Sequence, residues 1–357
     1  MDVREFDFDL PPHLIAQEPP AERTAARLLC VNRHSGVAAH SLVSALPDLL
    51  RAGDLLVVNN TRVFPARLIG RRVPSGGAVE CLLVRRLLPD TRVGDTPGAE
   101  LWEALVHPGQ KLKPGARAVF QGSRTLHAEI LERGFFGRRV IRLCADDSVS
   151  VEEAIDVLGH VPLPPYIKRQ EAAADRDRYQ TVFAWRRGSI AAPTAGLHFT
   201  PPLLDALTAR GVARAEITLH VGYGTFQPVR VARVEDHRVE AEQYEIGPDA
   251  AEAITRASRE GRRVIAVGTT TTRTLEAVAR DHDGAIVPCS GLTDLFISPG
   301  FRFCVIGGLL TNFHLPRSSL LMLVSAFAGR DRVLAAYRTA VASGYRFYSY
   351  GDAMLIT

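Results

Sequence analysis

The sequence has few cysteines and few lysines, and it contains no long hydrophobic run. Its five cysteines are far apart and include no C-x-x-C pair, which argues against a disulfide framework or a zinc site and favours a reducing compartment. The first nine residues are acidic and lack an apolar stretch, so no signal peptide is expected. Because no run of about 20 apolar residues occurs, we predict a cytoplasmic protein without a membrane partner.

Several common enzyme motifs are also missing. No glycine precedes any of the three lysines, which excludes a P-loop nucleotidase. The absence of H-E-x-x-H, and of any serine two residues after a glycine, excludes zinc-protease and nucleophile-elbow chemistry. Gly222 and Gly224 are followed by Gln227 where a dinucleotide-binding loop has its third glycine, so we expect no NAD site there.

Arginine is by far the commoner basic residue, since only three of the 43 basic residues are lysines. Arginine binds phosphate bidentately and would suit a nucleic-acid partner. The arginines extend along the whole chain, however, which favours codon preference as the explanation. The positive charge is concentrated in residues 66–145, which contain 14 basic and 7 acidic residues, whereas the rest of the chain contains 29 and 32.

This basic zone consists of short alternating segments separated by glycine and proline turns. The predicted strands are Val79–Val84, Leu101–Val106, Leu126–Leu131 and Val140–Leu143. Short regular strands without helical periodicity predict a small β-barrel. A buried strand is predicted before this zone, so we expect a β-barrel domain (66–145) inserted into a domain formed by residues 1–65 and 146–357.

The larger domain has an α/β pattern. The predicted strands are Asp54–Val58, Ala215–Leu219 and Arg263–Val267, and the predicted helices are Pro201–Gly211, Asp249–Glu260 and Arg330–Ala342. Thr200 followed by two prolines is typical of a helix start. This alternation predicts an α/β fold with a mainly parallel sheet flanked by helices.

Small and polar residues follow several strands, at the edge where open α/β sheets usually bind ligands. The clusters are Asn59–Arg62, Pro193–Thr200, His220–Thr225, Gly268–Arg273 and Thr311–Pro316. Gly268–Arg273 opens a helix whose free N–H groups suit a carboxylate, although Thr271 or Thr272 equally suits a structural cap. His198 and His314 lie beside Thr or Asn in turn-rich segments, which favours function over a buried structural role.

Many ordered segments together resemble the S-adenosylmethionine:tRNA ribosyltransferase-isomerase family of queuosine biosynthesis. They are Leu14–Pro19, Gly53–Val57, Thr61–Val63, Pro65–Arg67, Leu163–Ile167, Arg178–Val182, Ala192–Thr200, His220–Gly222, Gly224–Val229, Leu310–Pro316, Tyr345–Phe347 and Ser349–Met354. The sequence departs from the family pattern at Asn60, where aspartate is common, at Glu240, where histidine is frequent, and at Ser319, where threonine is usual.

The resemblance implies an α/β domain with an inserted β-barrel, and it implies a specific reaction. The ribosyl part of S-adenosylmethionine is transferred and isomerised onto 7-aminomethyl-7-deazaguanine at the tRNA wobble position. The products are epoxyqueuosine-tRNA, adenine and methionine. S-adenosylmethionine is a co-substrate, no metal or further cofactor is implied, and the expected partner of a monomeric enzyme is the anticodon region of tRNA.

The implied chemistry suggests roles for individual residues. The sulfonium acidifies the ribose 5′ hydrogens and adenine must be protonated as it leaves, which requires a neutral base with a pKa of about 7. The expected catalytic residues are His198, His220 and His314, with Asp352 fixing a histidine tautomer. The expected substrate-binding residues are Thr61, Arg62, Thr194, Gly196, Phe199, Gly222, Gly224, Thr225, Thr269, Thr270, Arg273, Thr311, Asn312, Phe313 and Tyr350.

Three subsets of these residues have specific expected tasks. Thr194, Thr311 and Asn312 would orient ribose hydroxyls. The turn at residues 268–273 would hold the methionine carboxylate. Phe199 or Phe313 would stack on a purine.

Two other functions are compatible with parts of this pattern. A methyltransferase using the same co-substrate would release S-adenosylhomocysteine in place of adenine and methionine. A non-catalytic RNA-binding protein would need the basic zone but not the polar clusters, all of which lie outside that zone.

Overall fold

The computed structural model describes residues 1–87, 98–134, 137–146, 149–226 and 228–357. Gln227, in one of the matching segments, and Asp90, Arg92 and Asp95, in the basic zone, lie outside the described residues. The β-strands are β1 (Arg27–Val31), β2 (Ala38–Leu42), β3 (Leu55–Asn59), β4 (Thr61–Val63), β5 (Arg67–Val73), β6 (Ala78–Leu87), β7 (Glu100–His107), β8 (Arg117–Gln121), β9 (Thr125–Arg133), β10 (Arg138–Ala145), β11 (Arg186–Ser189), β12 (Ala213–Leu219), β13 (Glu242–Ile246), β14 (Val264–Val267), β15 (Cys289–Thr293), β16 (Gly308–Asn312) and β17 (Ala353–Ile356). The α-helices are α1 (Leu46–Leu49), α2 (Val151–Leu158), α3 (Asp175–Arg178), α4 (Pro201–Ala209), α5 (Pro248–Arg259), α6 (Thr269–Asp281), α7 (Ser319–Ala328) and α8 (Arg330–Ala342).

Within the described ranges, nine strands form one mixed sheet in the order β15-β13-β12-β3-β14-β16-β17-β1-β2. Its central strands β12, β3, β14 and β16 run parallel, and β17 pairs parallel with β1. β13, β15 and β2 are antiparallel to their neighbours, and β17 is antiparallel to β16. The predicted α/β fold with an inserted barrel is confirmed, with the parallel strands concentrated at the centre of the sheet.

The central strands are buried on both faces, which accounts for their continuous apolar sequences. In β3, Leu55 and Val57 pack on one side with residues of α5 to α8, whereas Leu56 and Val58 pack on the other side with residues of α1 and α4. Helix α4 begins as predicted, because the side chain of Thr200 accepts a hydrogen bond from the Leu203 N–H and two prolines follow it.

Strands β5 to β10 close into a barrel in the order β10-β7-β6-β5-β8-β9. Alternate residues face its interior, as in β9, where Leu126, Ala128 and Ile130 are buried and His127 is exposed. The four strands predicted in the basic zone all belong to this barrel. The domain boundaries at residues 66 and 145 stay predictions, and they lie beside the start of β5 and the end of β10.

The chain enters and leaves the barrel through adjoining segments. The Arg67 N–H donates to the His160 carbonyl at 3.2 Å, and the His160 N–H donates to the Arg67 carbonyl at 2.8 Å. β4, which precedes the barrel, pairs with β11, which follows it. The far end, which we call the distal rim, comprises residues 74–77, 108–117 and 132–134. No helix in the described part of the chain is both long and apolar enough to cross a membrane.

Candidate active site

Three parallel strands of the sheet end at a cavity of about 50 Å³, which we call the strand-end cleft. Residues after β12, β14 and β16 line it together with the 3-10 turn Thr194–His198. The predicted site residues in its wall are Thr194, Thr225, Thr269, Thr270, Thr311, Asn312, Phe313 and His314. The structure therefore brings together four of the five polar clusters, because the carboxyl ends of parallel strands meet at one edge.

The fifth cluster lies directly behind this wall. The Asn59 side-chain amide donates to the Leu219 carbonyl at 2.9 Å and to the Thr270 hydroxyl at 3.4 Å. Its side-chain oxygen accepts hydrogen bonds from the N–H groups of Thr61 and Leu219. Asn59 thus connects β3, β12 and α6 and positions Thr270 without lining the cleft.

The N-terminus of α6 faces the cleft without a side-chain cap. Gly268 precedes the helix with a φ of 89°, a left-handed conformation that favours glycine. The Thr271 and Thr272 hydroxyls donate to the carbonyls of Val267 and Gly268, so neither caps the helix N–H groups. The structural-cap alternative for these threonines is therefore wrong. The free N–H groups of the first turn are available to an anion.

His314 lies in the cleft and has fixed partners. Its Nε2 is 2.9 Å from the Thr311 hydroxyl, and its backbone N–H donates to the Tyr337 hydroxyl at 3.0 Å. Burial lowers the pKa of His314 to about 3, because the charged imidazolium would lose its solvation. His314 is therefore neutral at pH 7, as the implied chemistry requires, but it is a weaker base than expected.

His198 lies on the other side of Asn312, in a recess shared with Arg23 and Tyr350. Burial lowers the pKa of His198 to about 4, an effect that the neighbouring Asn312 amide only partly opposes. His198 Nε2 and Asn312 Oδ1 are buried and make no hydrogen bond of standard geometry within the described residues, but the Asn312 side chain interacts with His198.

His220 lines a different space, a cavity of about 710 Å³ between the barrel and the sheet, which we call the interdomain cavity. Its Nδ1 lies 2.8 Å from the Thr61 hydroxyl. Burial is the main cause that lowers the pKa of His220, and the nearby Arg186 adds to it. The structure does not bring the three histidines into one cavity, although Val221 lines both the strand-end cleft and the interdomain cavity.

Arg273 and Glu242 form a buried ion pair next to the cleft. Arg273 Nε donates to the Leu295 carbonyl at 2.9 Å, while Arg273 Nη2 is buried without a partner among the described residues. Glu242 Oε1 accepts from the Gly222 N–H at 2.8 Å and from the Thr225 hydroxyl at 3.4 Å. Sequence reasoning missed Glu242, because nothing in the pattern around it signals a partner 31 residues away.

Two predicted residues near the C-terminus have structural partners. The Asp352 carboxylate accepts hydrogen bonds from the backbone N–H groups of Arg27 and Arg346, at 2.9 and 2.7 Å. The Tyr350 hydroxyl donates to Asp175 at 3.0 Å. These contacts brace chain segments, and they do not indicate the role of fixing a histidine tautomer that was expected of Asp352.

The predicted phenylalanines are core residues. Phe199 is fully buried against Phe183, with ring centroids 6.1 Å apart, and Phe313 is fully buried among Tyr337, Tyr345 and Phe347. Rings without accessible faces cannot stack on a purine in this conformation, so the stacking expectation does not fit the structure.

Three further predicted residues lie at the margin or outside the cleft. Gly196 packs against Thr181 and Phe183, where an added Cβ would lie within 2.9 Å of both side chains. Gly224 faces Glu240, and Arg62 is exposed on β4. Within the described part of the chain, no group of three His, Cys, Asp or Glu side chains could hold a metal ion.

Comparison with known proteins finds a matching family, related sequences and a similar solved structure. A family model described as queuosine biosynthesis protein matches residues 3–356. The S-adenosylmethionine:tRNA ribosyltransferase-isomerases of Desulfitobacterium hafniense and Geobacter sulfurreducens are each 51% identical to this chain, and the alignments cover 100% and 99% of both sequences. The crystal structure of S-adenosylmethionine tRNA ribosyltransferase from Thermotoga maritima is similar with a TM-score of 0.54 and 38% identity, covering 99% of this chain and 100% of that one.

Proposed function

The chain belongs to the queuosine biosynthesis protein family, and from this membership we propose that it transfers and isomerises the ribosyl moiety of S-adenosylmethionine onto 7-aminomethyl-7-deazaguanine in tRNA. Epoxyqueuosine-tRNA, adenine and methionine are the products. The observation that carries this proposal is the 51% identity, over the whole length, to relatives that are named for this activity. Those names match the transfer reaction and neither the methyltransferase nor the RNA-binding alternative.

The strand-end cleft is the proposed site of the methionine end of S-adenosylmethionine. The free N–H groups at the start of α6 and the hydroxyls of Thr269 and Thr270 suit the carboxylate. The Asn312 side-chain oxygen, which also lies near His198, suits the ammonium group or a ribose hydroxyl. A cavity of about 50 Å³ is far smaller than the several hundred Å³ of a typical ligand site, so the cleft must widen when the co-substrate binds.

The base that starts the reaction must remove a ribose 5′ hydrogen beside the sulfonium. Among the three candidates, His314 lines the cleft in which the methionine end would lie. Thr311 holds His314 Nε2, and burial keeps the ring neutral. We therefore assign the donor side of the reaction to His314, with His198 and Asn312 forming the adjoining wall.

The barrel is the proposed contact to the tRNA backbone. Several of its arginines are neutralised by barrel glutamates, such as Arg67 by Glu80 at 2.8 Å and Arg142 by Glu129 at 2.6 Å. The distal rim differs, because its exposed basic residues have no ion pair within the described ranges; they are Lys111, Lys113, Arg117 and Arg133. Unpaired cations are the ones that can exchange counterions for phosphates.

Product analysis tests the proposed function directly. Purified protein is incubated with S-adenosylmethionine and a tRNA carrying 7-aminomethyl-7-deazaguanine, and adenine, methionine and S-adenosylhomocysteine are quantified together with the tRNA product. Equal amounts of adenine, methionine and epoxyqueuosine-tRNA support the transfer reaction. Formation of S-adenosylhomocysteine would establish the methyltransferase, and tight tRNA binding without turnover would establish the RNA-binding protein.

The histidine assignment has its own test. His198→Ala, His220→Ala and His314→Ala are compared in single turnovers in which adenine release is followed. We expect the largest loss of rate for His314→Ala. Near-normal rates in all three variants would remove the histidines from the mechanism.

A further inference from the structure

The interdomain cavity lies outside the donor site, and its chemistry suits the acceptor base. We propose that it binds the 7-aminomethyl-7-deazaguanine of tRNA, with Glu240 holding the aminomethyl group and His220 taking its proton. This inference rests on the proposed function. The ligand it must fit is a flat bicyclic base with a short cationic arm.

Size and position favour this occupant. At about 710 Å³, the interdomain cavity falls within the range of nucleotide-sized ligand sites, whereas the strand-end cleft does not. Val221 lines both spaces. A base in the interdomain cavity would therefore lie directly next to a ribosyl group that projects from the cleft.

One wall of the cavity is aromatic. The rings of Phe64 and Trp102 are 5.6 Å apart, and the Arg187 guanidinium lies 5.1 Å from the centre of the Phe64 ring. Both rings are largely buried in the barrel core and contribute only part of their surface to the cavity. Such a wall offers the base apolar contact rather than an open ring face for stacking, because Arg187 lies over the Phe64 ring.

The carboxylates of the cavity differ in how much hydrogen-bonding capacity they retain. Glu103 is bound by Arg138 and Arg85, and Glu100 is bound by Arg86 and by the Trp102 indole N–H. Both oxygens of Glu242 are also occupied, as described above.

Glu240 retains a free oxygen. It pairs with Arg138 through Oε1 at 2.5 Å, while its Oε2 faces Gly224 and makes no bond among the described residues. The other carboxylate with a free oxygen, Glu152, is 53% exposed and pairs with Arg187 at 2.9 Å. Glu240 is therefore the carboxylate suited to an ammonium group within the cavity.

His220 Nδ1 lies against the Thr61 hydroxyl. The proposed proton transfer requires the tautomer in which His220 Nδ1–H donates to the Thr61 hydroxyl at 2.8 Å, while that hydroxyl donates to the Arg186 carbonyl at 3.4 Å. In that tautomer the lone pair is on Nε2. Gly188 packs against the same ring, and an added Cβ would lie 2.7 Å from its Cε1, which keeps the ring in place.

The chemical step assigned to His220 is a single proton transfer. The aminomethyl nitrogen of the bound base is cationic at pH 7 and has no lone pair for attack. One N–H bond of this ammonium breaks, its electron pair stays on nitrogen, and the proton binds His220 Nε2 to give an imidazolium. The neutral amine is then the nucleophile that the ribosyl transfer requires.

The binding half of the proposal is tested with two tRNAs that differ only at the wobble base. Dissociation constants are measured for tRNA carrying 7-aminomethyl-7-deazaguanine and for tRNA carrying guanine. We expect the wild-type protein to prefer the first by at least about tenfold, and Glu240→Gln to reduce this preference to less than about threefold. Affinity for the guanine tRNA should not change, which distinguishes base recognition from a loss of folding or of phosphate contacts.

Glu80→Gln is the matched control, because Glu80 also pairs with an arginine and its side chain has similar exposure, 46% against 39% for Glu240. It should retain the wild-type preference. An unchanged preference in Glu240→Gln, or an equal loss in Glu80→Gln, would overturn the assignment of Glu240.

The proton-transfer half is tested in single turnovers with saturating substrates. His220→Gln and Thr61→Val should each slow formation of modified tRNA by about tenfold or more while both dissociation constants stay the same. Thr61→Ser should retain the wild-type rate because it keeps the hydroxyl. If the wild-type protein makes no product, the proposed function fails. If the wild-type protein makes the product and both variants match its rate, only the role of His220 fails.

Discussion

Glu242 Oε2 lies 2.5 Å from Arg273 Nη1, and both side chains are buried between β13 and α6. The same carboxylate holds Gly222 and Thr225, so one residue connects the helix that faces the strand-end cleft with the loop after β12. Arg273 Nη2 has no partner in the described structure. A buried guanidinium held on one side and unsatisfied on the other is suited to bind the carboxylate of a ligand.

Glu242→Gln should therefore weaken both folding and co-substrate binding. Removing one charge of a buried pair leaves the other uncompensated, which costs about 3 to 5 kcal/mol. Urea unfolding measures the loss of stability, and equilibrium dialysis measures the affinity for S-adenosylmethionine. Glu245→Gln is the control on the same strand, because its pair with Arg186 is 47% exposed on the glutamate side and contributes at most about 1 kcal/mol. Equal effects of the two substitutions would contradict this account.

Acid should destabilise the protein through its buried histidines. Burial lowers the pKa of His198 to about 4 and that of His314 to about 3, both below the ordinary value of about 6.5. Between these values the unfolded chain binds more protons than the folded chain, so stability is complete above about pH 6.5 and falls as the pH decreases. From about pH 7 to about pH 5 each histidine should contribute a loss of about 2 kcal/mol.

Urea unfolding at the two pH values checks this prediction in His198→Gln and His314→Gln. Each substitution should reduce the difference between the two pH values by about 2 kcal/mol, and the exposed His13→Gln should leave it unchanged. A difference that persists in full in both buried-site variants would show that other groups cause the acid sensitivity.

The distal rim should determine the salt dependence of tRNA binding. Neutralising Lys111, Lys113 and Arg117 together should lower the slope of log affinity against log salt by about 2, at roughly 0.7 to 0.9 per phosphate contact. Arg67→Gln with Arg142→Gln is the control, because these barrel arginines are already paired with glutamates. An unchanged slope in the triple variant would move the tRNA contact away from the distal rim.

Asp352→Asn should distinguish a structural role of Asp352 from a catalytic one. The carboxylate accepts two backbone N–H groups, and an amide replaces one acceptor oxygen with a donor, so stability should fall by about 1 to 3 kcal/mol. Adenine release by the folded variant in single turnover should stay within a few-fold of wild type. A loss of a hundredfold or more in a variant of normal stability would restore the catalytic role expected from the sequence.

Much of the architecture follows from local patterns. The Thr200 cap and the helix predicted at Arg330–Ala342 each depend on residues within one helix, and both predictions are confirmed. Buried and exposed residues alternate along β9 because one face of the strand points into the barrel and the other points outward. The short alternating segments of the basic zone already suggest this arrangement. The assembly of polar clusters at one edge follows from strand direction alone, so the walls of the strand-end cleft were largely predictable.

The partners of individual side chains were not predictable in the same way. Thr61 and His220 are 159 residues apart, and Asp352 binds an N–H group 325 residues away. Such contacts depend on how strands are ordered in the sheet, including the antiparallel edges that the alternating pattern did not indicate. Phe199 and Phe313 lie beside candidate site residues in the sequence, which suggested contact with substrate. In the structure, close packing in the core buries both rings.

The reciprocal hydrogen bonds between Arg67 and His160 have an evolutionary consequence. Because the barrel begins and ends at one point on the surface of the α/β domain, a single segment of DNA placed after the codons of β4 adds it as a unit. None of the nine sheet strands is interrupted by this addition. An ancestral enzyme without the barrel would have kept its strand-end cleft and lacked the second wall of the interdomain cavity.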